Sequence, residues 1–153
     1  LDSSIKNHIQ DLVNNKIKFR VIGDTIHLPD NIKNTIDHAE RLTSEFDKYK
    51  LNIAYNYGGQ WDIINSINKI LNNNSEINID SISNNLSTGG DYPDLIVRTG
   101  GYKRLSNFML WQAAYSELIF LDTLWPDFTE KDVENICKDY KSIKRKFGKV
   151  DHD

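Results

Sequence analysis

Short apolar runs alternate with stretches of helical period along this chain. Ile5, Ile9, Leu12 and Val13 recur at helical spacing and predict a helix over 4–14. Phe19-Arg20-Val21-Ile22 reads as a strand stopped by Gly23-Asp24, and Ile32, Ile36, Ala39, Leu42 and Phe46 mark a helix after Pro29. A second strand, Leu51-Asn52-Ile53-Ala54-Tyr55, ends at Asn56-Tyr57-Gly58-Gly59, and Ile63, Ile64, Ile67, Ile70 and Leu71 form the apolar face of the next helix. A short helix is expected between Ile77 and Leu86, ahead of Gly89-Gly90. Leu95-Ile96-Val97 is a third strand with Arg98 at its end, followed by a helix from Ser106 to about Ala114. Leu118 to Leu121 is a fourth strand, and a last helix starts at Thr129, with Asp132 placed for a variant of the capping box. Val133, Ile136, Cys137 and Tyr140, with Ile143 or Lys144, make its apolar face, so Cys137 reads as inert core. This alternation predicts an α/β fold, a largely parallel β-sheet flanked by helices, in a single domain over 1–153. Residues 144–153 read as a basic, mobile tail.

Composition narrows the class. With 39% hydrophobic and 27% charged residues, only 8 Gly and 3 Pro, the chain can build a core and is neither a linker nor disordered. Nineteen Lys and Arg against 22 Asp and Glu give a net charge of −3, so no global basic field points to nucleic acid. A single cysteine excludes an internal disulfide framework and a cysteine-based zinc site. No apolar run has the length of a membrane span and no leader-like segment opens the chain, so a soluble, cytoplasmic location is expected. The start at Leu1 suggests a fragment or a processed product.

Any anion must therefore be held by a local cluster, and the densest runs from Asp94 to Phe108. Ligands of parallel α/β sheets bind beyond the carboxyl ends of the strands. Here a strand ends on Arg98, Gly100-Gly101 let the backbone approach a ligand, and Lys103, Arg104 and Ser106 follow at the start of the expected helix. Cations, a hydroxyl and a helix N-terminus together favour a phosphate or diphosphate; singly, each residue could serve only a local ion pair or cap. Glu117 lies in an otherwise apolar and neutral run, where a carboxylate is costly unless paired or bound to metal. Two readings stand: a buried partner for Arg98 or Arg104, or a ligand for the Mg²⁺ that usually accompanies a diphosphate. Asn56, Asp62 and Asp24 follow strands and could touch a substrate, though local capping suits them better. The four histidines, His8, His27, His38 and His152, show no metal spacing.

Taken in order, several segments resemble the cis-prenyltransferase family, the undecaprenyl diphosphate synthases and their relatives. They are Val21-Ile22-Gly23-Asp24, Leu51 through Gly59, Asp94 through Phe108, Leu110-Trp111-Gln112 with Tyr115 and Glu117-Leu118, and Leu124-Trp125-Pro126-Asp127-Phe128. The resemblance implies a Mg²⁺-dependent transferase that condenses isopentenyl diphosphate onto an allylic, farnesyl-type diphosphate and forms a cis double bond in each cycle. It implies that Arg98, Arg104 and Ser106, with the Leu105 backbone between them, bind isopentenyl diphosphate, and that Glu117 is a magnesium ligand. It further implies a homodimer with a contact near Trp111–Trp125, and membrane association through the product alone. The family's catalytic aspartate motif and its proton-removing asparagine have no counterpart here and would lie upstream of Leu1, leaving the fold incomplete at the N-terminus and this chain inactive alone. Gln60 stands where relatives often carry arginine, Lys103 where some carry histidine, and Lys146-Phe147-Gly148 where the family has Arg-x-Gly. A different class remains as the alternative: a non-catalytic partner subunit of a heteromeric enzyme.

Overall fold

The computed structural model describes residues 1–143; the basic tail and the motif at Lys146 lie outside the described residues. The elements run α1 (Asp2–Asn14), β1 (Ile17–Ile22), α2 (Asp30–Thr43), β2 (Tyr49–Ala54), α3 (Gly59–Asn72), α4 (Ile79–Asn85), β3 (Leu95–Arg98), β4 (Glu117–Phe120) and α5 (Glu130–Ser142), with 3₁₀ turns at Gln112–Tyr115 and Trp125–Asp127. The expected α/β class, with parallel strands flanked by helices, is what forms. Contacts divide the described residues into two compact units, one of residues 1–91 with 107–111, the other of 92–106 with 112–143.

In the first unit β1 and β2 pair in parallel, from Ile17 opposite Tyr49 to Ile22 opposite Ala54. Helices α1 and α2 pack on β1 because their apolar stripes, Ile5 and Leu12 on one and Ile36 and Ala39 on the other, close over Phe19 and Leu28. Asp2 ties the two helices: it takes an ion pair from Lys6 at 2.8 Å and a hydrogen bond from the Thr35 hydroxyl at 2.7 Å. Those two donors, Lys6 first, hold its carboxyl below the ordinary 3.8. The edge of β1 away from β2 is closed by side chains rather than by a strand. The Phe19 amide donates to Thr43 Oγ1 at 3.0 Å and the Val21 amide to Glu40 Oε1 at 2.8 Å. Thr43 is fully buried and donates in turn to the Ala39 carbonyl at 2.9 Å.

Helix α3 follows the expected face only in part. Ile70 is buried and Ile63 and Ile67 half-buried, but Ile64 and Leu71 are exposed and the buried line is completed by Gly59, Asp62 and Ser66. The small, polar line wins because it accepts close neighbours: Ser66 Oγ donates to the Ile82 carbonyl of α4 at 2.8 Å, and Asp62 is enclosed by donors.

In the second unit β3 and β4 pair in parallel, Leu95 opposite Glu117 and Arg98 opposite Phe120. Helix α5 starts as expected, with Thr129 and Asp132 forming a reciprocal capping box. The Thr129 side-chain and backbone hydrogen bonds hold the Asp132 carboxyl below its ordinary value. Only Ile136 of its apolar face is buried; Val133 is exposed, and so is Cys137, which corrects the expectation that this thiol is inert core.

The largest correction concerns the helix expected over 106–114. Ser106, Asn107 and Met109 have φ of 49°, 64° and 47°, left-handed values that break any α-helix, and only the 3₁₀ turn at Gln112–Tyr115 follows. Ser106 therefore starts no helix, and no helix dipole adds to the cation cluster.

Thr43→Val keeps the side-chain volume but leaves the buried Phe19 amide without its acceptor. The variant should lose about 1–3 kcal/mol in urea unfolding. Unchanged stability would show that the amide has another acceptor.

Candidate functional site

The loop after β3 is built around Arg98. Its Nη1 donates to Ser106 Oγ at 2.9 Å and to the Arg104 backbone carbonyl, so one guanidinium closes a loop of nine residues, 98–106. The turn at Gly100 and Gly101, with φ of 91° and 77°, is left-handed, and a Cβ at Gly100 would meet nothing within 4 Å. Backbone conformation, not crowding, is what asks for glycine there. Both glycine amides are spent on the chain after β4, Gly100 on the Thr123 carbonyl and Gly101 on the Leu121 carbonyl, each at 2.9 Å. Those two glycine amides are therefore not open to a ligand. The Arg104 guanidinium lies 4.4 Å from the centre of the Tyr102 ring and that of Arg98 5.9 Å from it.

Among the described residues none of Arg98, Lys103 and Arg104 has a carboxylate partner. Three positive side chains and the Ser106 hydroxyl thus share one short loop with no internal counter-ion. That arrangement attracts a multiply charged anion, and each charge-assisted hydrogen bond to it contributes about 1.5–3 kcal/mol. Arg98 has a structural task as well, since it also holds the loop closed. Leu105, half-buried, supplies backbone between the two cationic positions and Ser106.

Glu117 is not part of this cluster. It opens β4 opposite Leu95, whereas Arg98 ends β3 opposite Phe120. At about 3.3 Å per residue, three residues put it roughly 10 Å along the ribbon. Its carboxylate is half-buried and forms no ion pair or side-chain hydrogen bond among the described residues, so the expected alternative of a salt bridge to Arg98 or Arg104 is absent. An oxygen donor without a protein partner fits Mg²⁺, which needs only one or two carboxylates when phosphate oxygens and water complete its shell. Among the described residues no three His, Cys, Asp or Glu side chains gather as a metal site of their own.

Other candidates take local roles. Asp62 is fully buried and accepts from Tyr57 Oη at 2.9 Å, the Ser87 amide at 2.8 Å and Ser87 Oγ at 2.6 Å, so it locks the first turn of α3 to the chain beyond α4. Asp24 Oδ1 accepts the Ile26 amide at 3.0 Å within its own turn, and His38 is exposed.

Two residues escaped the sequence reading. Tyr102 sits between the two arginines in sequence and carries both in space. Asn107 fixes the turn that follows: its carbonyl accepts the Gly59 amide at 2.6 Å and its Oδ1 the Gln60 amide at 3.0 Å, capping α3 from a distant part of the chain. Gly59 is small for the same reason, since a Cβ there would meet the Leu110 amide at 2.9 Å. An asparagine directly after Ser106, the residue type other than glycine that best tolerates the left-handed region, was the available signal.

By its fold this is a parallel α/β protein with a cationic loop, free of any carboxylate partner among the described residues, at the carboxyl end of β3. Residues 1–148 match the model of the undecaprenyl diphosphate synthase family, and the chain belongs to that family. It is 45% identical over 156 aligned residues to the ditrans,polycis-undecaprenyl-diphosphate synthase ((2E,6E)-farnesyl-diphosphate specific) of Buchnera aphidicola subsp. Acyrthosiphon pisum, covering 97% of this chain and 61% of that protein. It is 41% identical over 147 residues to the isoprenyl transferase of Fusobacterium nucleatum, covering 95% of this chain and 64% of the relative. The chain thus spans about three fifths of the length of these curated relatives. The crystal structure of a probable undecaprenyl diphosphate synthase from Campylobacter jejuni is similar with a TM-score of 0.88 at 32% identity, covering 97% of this chain and 71% of that one. That of lavandulyl diphosphate synthase from Lavandula x intermedia, in complex with dimethylallyl diphosphate, has the same score at 30% identity, covering 97% and 68%. No helix among the described residues is long and apolar enough to cross a membrane.

The Asn107 cap is testable. Asn107→Ala removes the amide acceptor and strains the left-handed backbone, and should cost about 1–3 kcal/mol of stability in thermal or urea unfolding. Asn107→Gly loses the same acceptor without the strain and should cost clearly less. Equal losses would mean that the conformation contributes nothing.

Proposed function

We propose that this chain carries the isopentenyl diphosphate half-site of a cis-prenyl chain-elongating enzyme of the undecaprenyl type, working in the cytoplasm. The observation that carries this reading is the loop in which Arg98, Arg104 and Ser106 meet with no carboxylate to neutralise them. Arg104 and Ser106 bind the diphosphate oxygens, Arg98 adds charge while holding the loop shut, and the Leu105 backbone spans the distance between them. The Buchnera relative, by its name, is specific for farnesyl diphosphate, which supports a farnesyl-type allylic co-substrate.

In the elongation step the allylic C–O bond breaks and the leaving diphosphate takes the electron pair. The double bond of isopentenyl diphosphate supplies the electrons for the new carbon–carbon bond, and loss of a proton from its C2 sets the cis double bond. What the chain's own residues do is fix the isopentenyl end by its charge, so that the reacting carbon is presented in one orientation. Glu117 would hold a Mg²⁺ ion, and the charge such an ion supplies would help to neutralise the diphosphate. The exposed surface bearing Tyr115, Leu118, Leu124 and Trp125, with Trp125 stacked on Phe128 at 5.8 Å, is proposed as the homodimer contact.

Calorimetric titration tests the half-site. Arg104→Ala should weaken isopentenyl diphosphate binding tenfold or more, as the loss of one charge-assisted contact of about 1.5–3 kcal/mol requires. Binding that survives the substitution unchanged would place the substrate elsewhere. Glu117 is tested through the metal: Glu117→Gln keeps the shape without the charge, and should need several-fold more Mg²⁺ to reach the same isopentenyl diphosphate affinity. An unaltered Mg²⁺ dependence would remove Glu117 from the metal site.

A further inference from the structure

Arg104 raises a physical problem. It is a long, exposed side chain with no carboxylate partner and no side-chain hydrogen bond among the described residues, in a loop that already holds Arg98 and Lys103. Left alone, such a guanidinium samples many rotamers and is driven away from its like-charged neighbours, so a ligand would have to order it on arrival. Its partner in this structure is an aromatic ring. Tyr102 presents its face to the Arg104 guanidinium at 4.4 Å and meets that of Arg98 at 5.9 Å, both within cation–π range.

Tyr102 itself is 58% exposed, so core packing does not explain an aromatic side chain here. Its hydroxyl has no hydrogen bond among the described residues, so the phenol oxygen does not explain it either. What remains is the ring face. We infer that Tyr102 is a positioning residue of the diphosphate site: a neutral platform that orders the Arg104 guanidinium, and to a lesser degree that of Arg98, without cancelling their charge. This rests on the reading of the loop as an isopentenyl diphosphate site. A carboxylate at position 102 could also order the two arginines, but the incoming diphosphate would then have to displace it. An aromatic quadrupole attracts the cations while leaving their N–H groups free to point at an anion.

The experiment compares calorimetric titrations of inorganic diphosphate and of isopentenyl diphosphate into the wild-type chain and into Tyr102→Leu, Tyr102→Phe and Tyr102→Trp, each also combined with Arg104→Ala. Tyr102→Leu keeps an apolar side chain without the quadrupole and should bind both ligands about three- to fivefold more weakly. Tyr102→Phe should restore the wild-type affinity, and Tyr102→Trp, with the strongest ring, should equal or exceed it. In the Arg104→Ala background the Tyr102→Leu penalty should shrink to below twofold, a coupling that a merely structural role would not show. A Tyr102→Leu affinity equal to wild type would overturn the inference and leave the half-site standing. So would a penalty of the same size with and without Arg104, or a Tyr102→Phe variant as weak as Tyr102→Leu. Wild-type chain that binds neither ligand would refute the half-site itself, and the inference with it.

Discussion

Left-handed backbone at Ser106, Asn107 and Met109 decides how the cationic side chains after β3 are presented. Residues with a Cβ resist that conformation, so something must hold them in it. At Asn107 the compensation is visible: its carbonyl and its side-chain oxygen take the first amides of α3, which would otherwise be unpaired at the helix start. Once those bonds form, the chain cannot coil into a helix after Arg104. The positive groups then stand on a closed loop and are not backed by a helix N-terminus. In the proposed diphosphate site recognition falls to guanidinium groups and a hydroxyl, whose directions depend on Arg98 gripping its own loop. A site of this sort relies on side-chain order, where a helix terminus relies on the main chain.

Much of this was legible in the sequence. Each strand lies within two residues of where the apolar runs place it, because short β-branched runs bounded by Gly, Asn and Asp leave few alternatives. The capping box at Thr129 was readable from two residues, being a purely local device. The cation cluster was visible as well: Arg98, Arg104 and Ser106 share one loop, but without the helix start that the pattern added to them. What was hidden depends on partners distant in the chain. The spacing over 106–114 is compatible with a helix, and nothing local reveals that Gly59 and Gln60 will claim Asn107. The role of Tyr102 was equally out of reach, since it is a matter of where a ring faces.

Helices α3 and α5 carry a related lesson. Periodicity identifies which face of a helix is apolar, not which face is covered. In α3 the covered face is the one with the smallest side chains, because Gly59, Asp62 and Ser66 admit close neighbours and satisfy buried donors and acceptors. In α5 the periodic stripe exists, yet Val133 and Cys137 remain in solvent with Ile136 alone beneath. Reading Cys137 as core confused an apolar position with an enclosed one.

The side chains that close the edge of β1 give the sheet of the first unit a polarity of growth. With the Phe19 and Val21 amides already given to Thr43 and Glu40, a further strand on that flank would have to displace those side chains. Extension is easier past β2, where Tyr49 and Leu51 are exposed and the buried Asn52 side-chain oxygen has no partner among the described residues. The ribbon is therefore one-sided. An incoming strand, whether from the same polypeptide or from an aggregating neighbour, finds the berth at β2 open and the one at β1 already occupied by Thr43 and Glu40.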